Sequence, residues 1–324
     1  MITTASTLMN RARRLSALLL IVSLPVSGLA GAENAKELGR QMRIAATVGD
    51  DDALIQLVER GADVNAANEF GKTALMNAVQ SGNLLAASVL ISMGANVNQP
   101  TVDGCTAITF AAENGQVELT ALLIERGADL EARTRSGQTA LMLASRYGIA
   151  DMVEQLLFKG AKTDPRDRDD ATALMLAAAR GHSEVVKRLL EAGASTDLRD
   201  ALGRTALIHA AGEEGNSDTL SLLLDAGSEI NAQAKDGSTA LIWAAGNGNH
   251  DSVRELLDRG ADPNIQDIDG LTALMEAVGA SSIESVRLLV NAGANTALKD
   301  SDGHTAYDLS SRRPQCRLFL EGYR

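Results

Sequence analysis

Between residues 172 and 200 the chain reads TALMLAAARGHSEVVKRLLEAGASTDLRD, and its apolar positions outline two short helices. Leu174, Ala177 and Ala178 follow Thr172 at helical spacing, and the threonine is placed to cap the first turn with its side-chain oxygen. Gly181 breaks the pattern after about two turns. A second helix opens at Ser183 and Glu184 and carries Val185, Val186, Leu189 and Leu190, a stripe that faces one side. Gly193 ends it, because a residue without Cβ adopts the left-handed backbone at the C′ position. From Ala194 to Gly203 the chain is rich in Asp, Gly and Ser, which is turn chemistry.

That unit recurs. Thr73, Thr106, Thr139, Thr172, Thr205, Thr239, Thr272 and Thr305 are separated by 33 residues in six steps and by 34 in one. Most copies keep Gly-x-Thr-Ala-Leu in front and Leu-Leu-x-x-Gly-Ala behind. Helices of two to three turns are marginal alone in water, so each pair must bury its stripe on the next, with the small Ala177 and Ala178 positions allowing close approach. Near Gly39 to Asn68 the unit has Arg40 in place of the threonine, and the last unit trails into Tyr307-Asp308-Leu309 and a break at Pro314. Atypical ends of this kind mark capping units. Three local irregularities stand out: Asp170 at a turn glycine, Ser281 at the mid-repeat glycine, and one extra residue within 211–215.

Gly181-His182-Ser183-Glu184-Val185-Val186, Gly260-Ala261-Asp262-Pro263-Asn264 and Gly61-Ala62-Asp63-Val64-Asn65 resemble the ankyrin repeat, over roughly residues 36 to 324. The resemblance implies an all-α ankyrin-repeat solenoid of stacked helix-turn-helix units with turn fingers. Seven standard repeats (71–302) stand between an N-terminal cap (33–70) and a C-terminal cap (303–324). Two departures recur. The family's proline is Ala at 74, 107, 140, 173, 206, 240 and 273, and its histidine is Met, Thr or Ile at 76, 109, 142, 175, 208, 242 and 275. The first removes a preset φ, and the second is expected to remove a side-chain hydrogen bond in that turn, so stability per repeat is expected to fall below a consensus array.

Residues 1 to 32 differ in composition. Arg11, Arg13 and Arg14 precede an apolar run from Leu15 to Leu24, then Pro25 and Ala30-Gly31-Ala32. This reads as a secretory signal peptide cleaved after Ala32, because the run is well short of the roughly 20 residues that cross a bilayer. The full chain carries a formal charge of −12, and losing three arginines and no acid takes it to −15. Nucleic acid and anionic membrane are both recognised largely through Lys and Arg, so neither is an expected partner, and no membrane insertion is expected after signal removal.

Cys105 and Cys316 lie some six repeats apart, about 60 Å at about 10 Å per packed helix. A disulfide needs Cα atoms within about 7 Å. Two free thiols are expected, Cys105 exposed and Cys316 at least partly packed. No His-Glu-x-x-His, Gly-x-Ser-x-Gly, Cys-x-x-Cys or phosphate-loop pattern is present. The acidic run Asp164 to Asp170 lacks the glycine and glutamate of a calcium loop and is interleaved with Arg166 and Arg168. The four histidines fall in different repeats, and His182 matches the family's structural histidine. No catalytic residue, cofactor or metal is therefore expected.

The resemblance implies that a protein partner docks on the groove formed by the first helices and the turn tips. The position four residues after each cap threonine reads Asn77, Phe110, Leu143, Leu176, His209, Trp243 and Glu276. Apolar in the middle and polar at the ends, it predicts an interface with an apolar centre and a polar rim. Trp243 is the only tryptophan in the chain, and Trp and other large aromatics are enriched at binding hot spots. Arg146, Tyr147 and Arg180 extend this surface at the helix ends, and Phe70, Arg135 and Lys235 at the turn tips. The expectation is an exported, non-catalytic scaffold resembling exported bacterial ankyrin-repeat proteins, periplasmic or extracellular. Its partner would be a protein of unknown identity, basic in character, such as a periplasmic enzyme or toxin that it protects or inhibits. A secreted effector acting on host or competitor-cell proteins is the alternative, and an enzyme or small-ligand binder with an unrecognised site the remote one.

Overall fold

The computed structural model describes residues 28–212 and 215–323, and among these every regular element is helical. The proposed signal peptide falls outside the described residues as far as position 27, as do Glu213 and Glu214 of the one-residue insertion. By internal contacts the chain divides into two compact units, Met1–Asp129 and Leu130–Arg324.

The first unit holds three helix pairs: α1 (Gly28–Val48) with α2 (Asp51–Glu59), α3 (Ala74–Gln80) with α4 (Leu84–Ser92), and α5 (Ala107–Glu113) with α6 (Val117–Glu125). First helices pack in the order α1, α3, α5 and second helices in the order α2, α4, α6. The second unit continues the plan with six pairs. Its first helices are α7 (Ala140–Arg146), α9 (Ala173–Ala178), α11 (Ala206–Ala211), α13 (Ala240–Gly246), α15 (Ala273–Gly279) and α17 (Ala306–Leu309). Its second helices are α8 (Ala150–Phe158), α10 (Ser183–Glu191), α12 (Ser217–Asp225), α14 (His250–Asp258), α16 (Ile283–Asn291) and α18 (Pro314–Leu320). Each packs on its sequential neighbour in its own layer.

Helix formation follows the repeat chemistry. Thr172 is extended at φ −104°, ψ 167° and its Oγ1 accepts the backbone N–H of Met175 at 3.4 Å. Thr73, Thr139, Thr205, Thr239 and Thr272 cap their helices in the same way. Where the third helical residue has its own oxygen it reaches back to the cap: Thr106 N–H donates to Thr109 Oγ1 at 2.9 Å, and Thr305 N–H to Asp308 Oδ2 at 2.9 Å. Val185, Val186 and Leu189 are buried between second helices, and Ala173, Ala177 and Ala178 between first helices. Burying each large aliphatic side chain contributes roughly 1.5–3 kcal/mol, so the core is a strip running between the two helix layers of each unit.

The fingers between repeats are cross-linked by backbone. In the second unit Arg168 N–H donates to Ser136 O, Ala201 to Asp169 O, Lys235 to Leu202 O, Ile268 to Asp236 O and Ser301 to Asp269 O, at 2.8–3.0 Å. Side chains repeat the link one register back, as Arg166 Nη1 donates to Arg199 O at 3.0 Å and Gln266 Nε2 to Lys299 O at 2.8 Å. The Gly-Ala-Asp-x-Asn segments join neighbours too: Asn264 Oδ1 accepts Asn295 N–H at 2.7 Å.

Three details refine the sequence reading. Pro314 does more than end a helix: it opens α18 at its first turn, with Arg313 at φ −130°, ψ 79°, because proline drives its predecessor out of the helical region. Cys105 is half-buried rather than exposed, and Cys316 is fully buried, both as free thiols. The helix that opens the first unit begins at Gly28, ahead of the proposed cleavage point.

Candidate partner-binding surface

In the first unit, Asn77 is committed to the cap, donating to Arg43 O at 3.3 Å and Thr47 Oγ1 at 3.1 Å. Phe110 is half-buried, with Lys72 Nζ 4.9 Å from its ring centroid. Phe70 is 65% exposed at a finger tip whose carbonyl accepts Val102 N–H.

In the second unit the residues at the same register diverge. Leu143 is only 6% exposed and packs in the first-helix layer, so it offers a partner little area. Leu176 and Trp243 are half-buried and present part of their surface. Tyr147 is exposed with the Arg146 guanidinium 5.9 Å from its ring, and Arg180 is exposed. The carbonyl of Arg146 accepts the Nε2–H of His182 at 3.2 Å, so the mid-repeat histidine ties α10 to the end of α7. Arg135 is exposed at a finger tip.

His209 enters a charged cluster. A carboxylate only accepts, so His209 Nε2 carries the hydrogen that it donates to Asp200 Oδ2 at 2.9 Å. Arg204 Nε donates to the same oxygen at 3.0 Å, while Asp200 Oδ1 accepts Leu202 N–H and Arg204 N–H. Burial and the Arg204 charge hold the imidazole below its ordinary pKa against the pull of Asp200. Burial pushes Asp200 upward, but the hydrogen bonds and charge of Arg204, with the His209 bond, prevail and keep its carboxyl below the usual range. A hollow of about 180 Å³ opens here, lined by Arg204, Ile208, His209 and Trp243. No serine, threonine, cysteine or lysine is among the residues lining this space.

Trp243 also borders a second hollow of about 270 Å³, with Ser238, Ile242 and Asn247 on its own repeat and Asp267 and Glu276 on the next. Asn247 Nδ2 donates to Trp243 O at 2.9 Å. The indole Nε1–H is buried without an acceptor, which costs about 1–3 kcal/mol. Leu176 at the same register carries no such burden. Burial and the neighbouring charge of Asp267 raise the Glu276 carboxyl above its ordinary range.

Sequence reasoning singled out Trp243, His209 and Glu276 at this register but missed Asp267, Asp200 and Arg204. The available signal was the aspartate five residues before the cap threonine, which the finger folds back onto the groove position. It also missed Phe158, 85% exposed at the end of α8 beneath Lys159. Among the described residues no group of His, Cys, Asp and Glu is placed to hold a metal ion, and no helix is long and apolar enough to cross a membrane.

No curated protein matches the sequence. Among solved structures, the human ASB11 ankyrin repeat domain is 29% identical, with a TM-score of 0.62, over 68% of this chain and 98% of that one. A family model described as Ankyrin repeats (3 copies) matches residues 42–134, 91–169, 141–234, 209–300 and 241–318. Those matches run nearly the length of the stacked helix pairs described above, and the chain belongs to the ankyrin-repeat family.

Proposed function

We propose that this chain is an exported, non-catalytic scaffold whose first-helix and finger surface docks a partner protein, with Trp243 as the anchor in the second unit. Ankyrin repeats are protein-interaction scaffolds, and that level of function follows from family membership. The finer reading rests on one observation: a half-exposed tryptophan beside an open hollow, with its Nε1–H buried and unpartnered in the free chain. A side chain there only for packing would not need that group. Tryptophan is enriched among binding hot spots.

Export is supported by Arg11, Arg13, Arg14, the run from Leu15 to Leu24 and the Ala30-Gly31-Ala32 junction. The acidic charge of −12 favours a basic partner, since complementary fields speed association and select partners. A periplasmic enzyme or toxin held in a protected or inhibited state fits this reading.

The test is affinity capture from a periplasmic fraction and from culture medium, using residues 33–324 as wild type and as Trp243→Ala and Phe110→Ala variants of unchanged helicity. A protein retained by the wild type and lost by Trp243→Ala supports the reading, and the fraction that supplies it separates a periplasmic role from a secreted one. Equal retention by both variants moves the docking surface elsewhere.

A further inference from the structure

The finger aspartates of the second unit share one design. Each uses Oδ1 to accept two backbone N–H groups of its own turn, as Asp167, Asp200 and Asp267 do from residues two and four places on. What differs is the partner of Oδ2. For Asp167 it is Gln138 Nε2 at 3.1 Å. For Asp200 it is Arg204, directly before the cap threonine, together with His209 in the groove. At Asp267 both of those positions have changed: Leu271 stands where Arg204 stood and Glu276 where His209 stood.

The hollow beside Trp243 therefore holds two carboxylates, and no cation among its lining residues. Glu276 Oε2 lies over α13, where a Cβ added at Gly246 would meet it at 3.0 Å. The bare backbone of Gly246 leaves that carboxylate its place. An indole and two acidic side chains thus line one open hollow.

We propose that this hollow receives an arginine side chain of the docked partner, its guanidinium stacked on Trp243 and bridging Asp267 and Glu276. It supplies the cation that Arg204 provides two repeats earlier, where the neutral His209 completes the cluster. Arginine fits better than lysine because a planar fork of five donors can stack on an indole and reach two carboxylates at once, whereas an ammonium is a compact, strongly hydrated point charge. The inference rests on the docking role proposed above for the same surface.

Trp243 is the only tryptophan, so its emission reports the site directly. The probe is acetyl-Gly-Arg-Gly-amide, titrated against residues 33–324, with the citrulline and lysine peptides in parallel. Expected is a saturable emission change with the arginine peptide, about tenfold weaker with uncharged citrulline and with Glu276→Gln, as loss of a charge-assisted hydrogen bond implies. Asp267→Asn keeps the Oδ1 acceptor of the turn and should weaken binding similarly. No saturable change, equal binding of citrulline, or an unchanged Glu276→Gln overturns the proposal, and equal binding of lysine overturns the choice of arginine. If the peptide fails while partner capture still depends on Trp243, the docking role stands and the arginine site falls. If the peptide binds and capture does not depend on Trp243, the reverse holds.

Discussion

At the scale of single residues, two positions hold a conformation that the rest of the repeat assigns to glycine. Asp170 at φ 58° and Ser281 at φ 61° are the non-glycine residues with positive φ among those described, and Gly148 and Gly181 adopt the same region at Ser281's register. A left-handed L-residue costs about 1–2 kcal/mol, less for Asp, whose short polar side chain tolerates it. Ser281→Gly is accordingly expected to raise unfolding free energy by about 1 kcal/mol, and Asp170→Gly by less. Urea denaturation of the three chains measures this, and a destabilised Ser281→Gly would contradict it. Both departures were legible in the sequence, because a 33-residue register exposes any residue that breaks it. The finger contacts were not, since nothing in spacing alone says that Asp200 returns to meet His209 nine residues on. His209 carries a pH prediction. Its folded pKa lies below its ordinary value, so as pH falls below about 6.5 the unfolded chain takes up a proton that the folded chain refuses, and stability drops. Above that window both states are neutral and the contribution is level. Asp200, also depressed, adds a further loss at lower pH as it is protonated. His209→Gln should flatten the fall in urea midpoint between pH 7 and 5, and an unchanged slope would contradict the burial assigned to this imidazole.

At the scale of the helix, threonine caps, glycine stops and apolar stripes were readable because each is a local rule with one outcome. Leu189 and Leu190 show where local rules end. Both belong to the predicted stripe, yet Leu189 is fully buried and Leu190 only partly so. The facing helices α8 and α12 decide between them, and that packing lies outside the segment. Leu189→Ala should cost about 2–5 kcal/mol and Leu190→Ala distinctly less, measured as the change in denaturant midpoint. The same cause explains the groove register. Leu143 and Leu176 look equivalent along the chain, but the first is buried on α7 while the second is left partly open on α9. Pro314 taught the complementary lesson, since one residue can end a segment and begin α18.

At the scale of the whole chain, regular framework and irregular surface divide the labour. Caps, mid-repeat glycines and finger ladders hold each unit together, while outside them the Trp243 indole N–H is left without an acceptor and shares its hollow with Glu276 and Asp267. They converge on one place in the second unit. Charge was legible from composition, and the groove register from the spacing, but the meeting of Trp243 with Asp267 and Glu276 required the fold. The most direct measurement is the affinity of the captured partner for wild-type chain and for Trp243→Leu. Leucine occupies this register at 143 and 176 and leaves no N–H to bury. Thermal unfolding of Trp243→Leu should match or exceed wild type, while partner affinity should fall by about 30-fold, the scale of a hot-spot loss of about 2 kcal/mol. Undiminished affinity in a folded Trp243→Leu chain would contradict the assignment of Trp243 as the anchor.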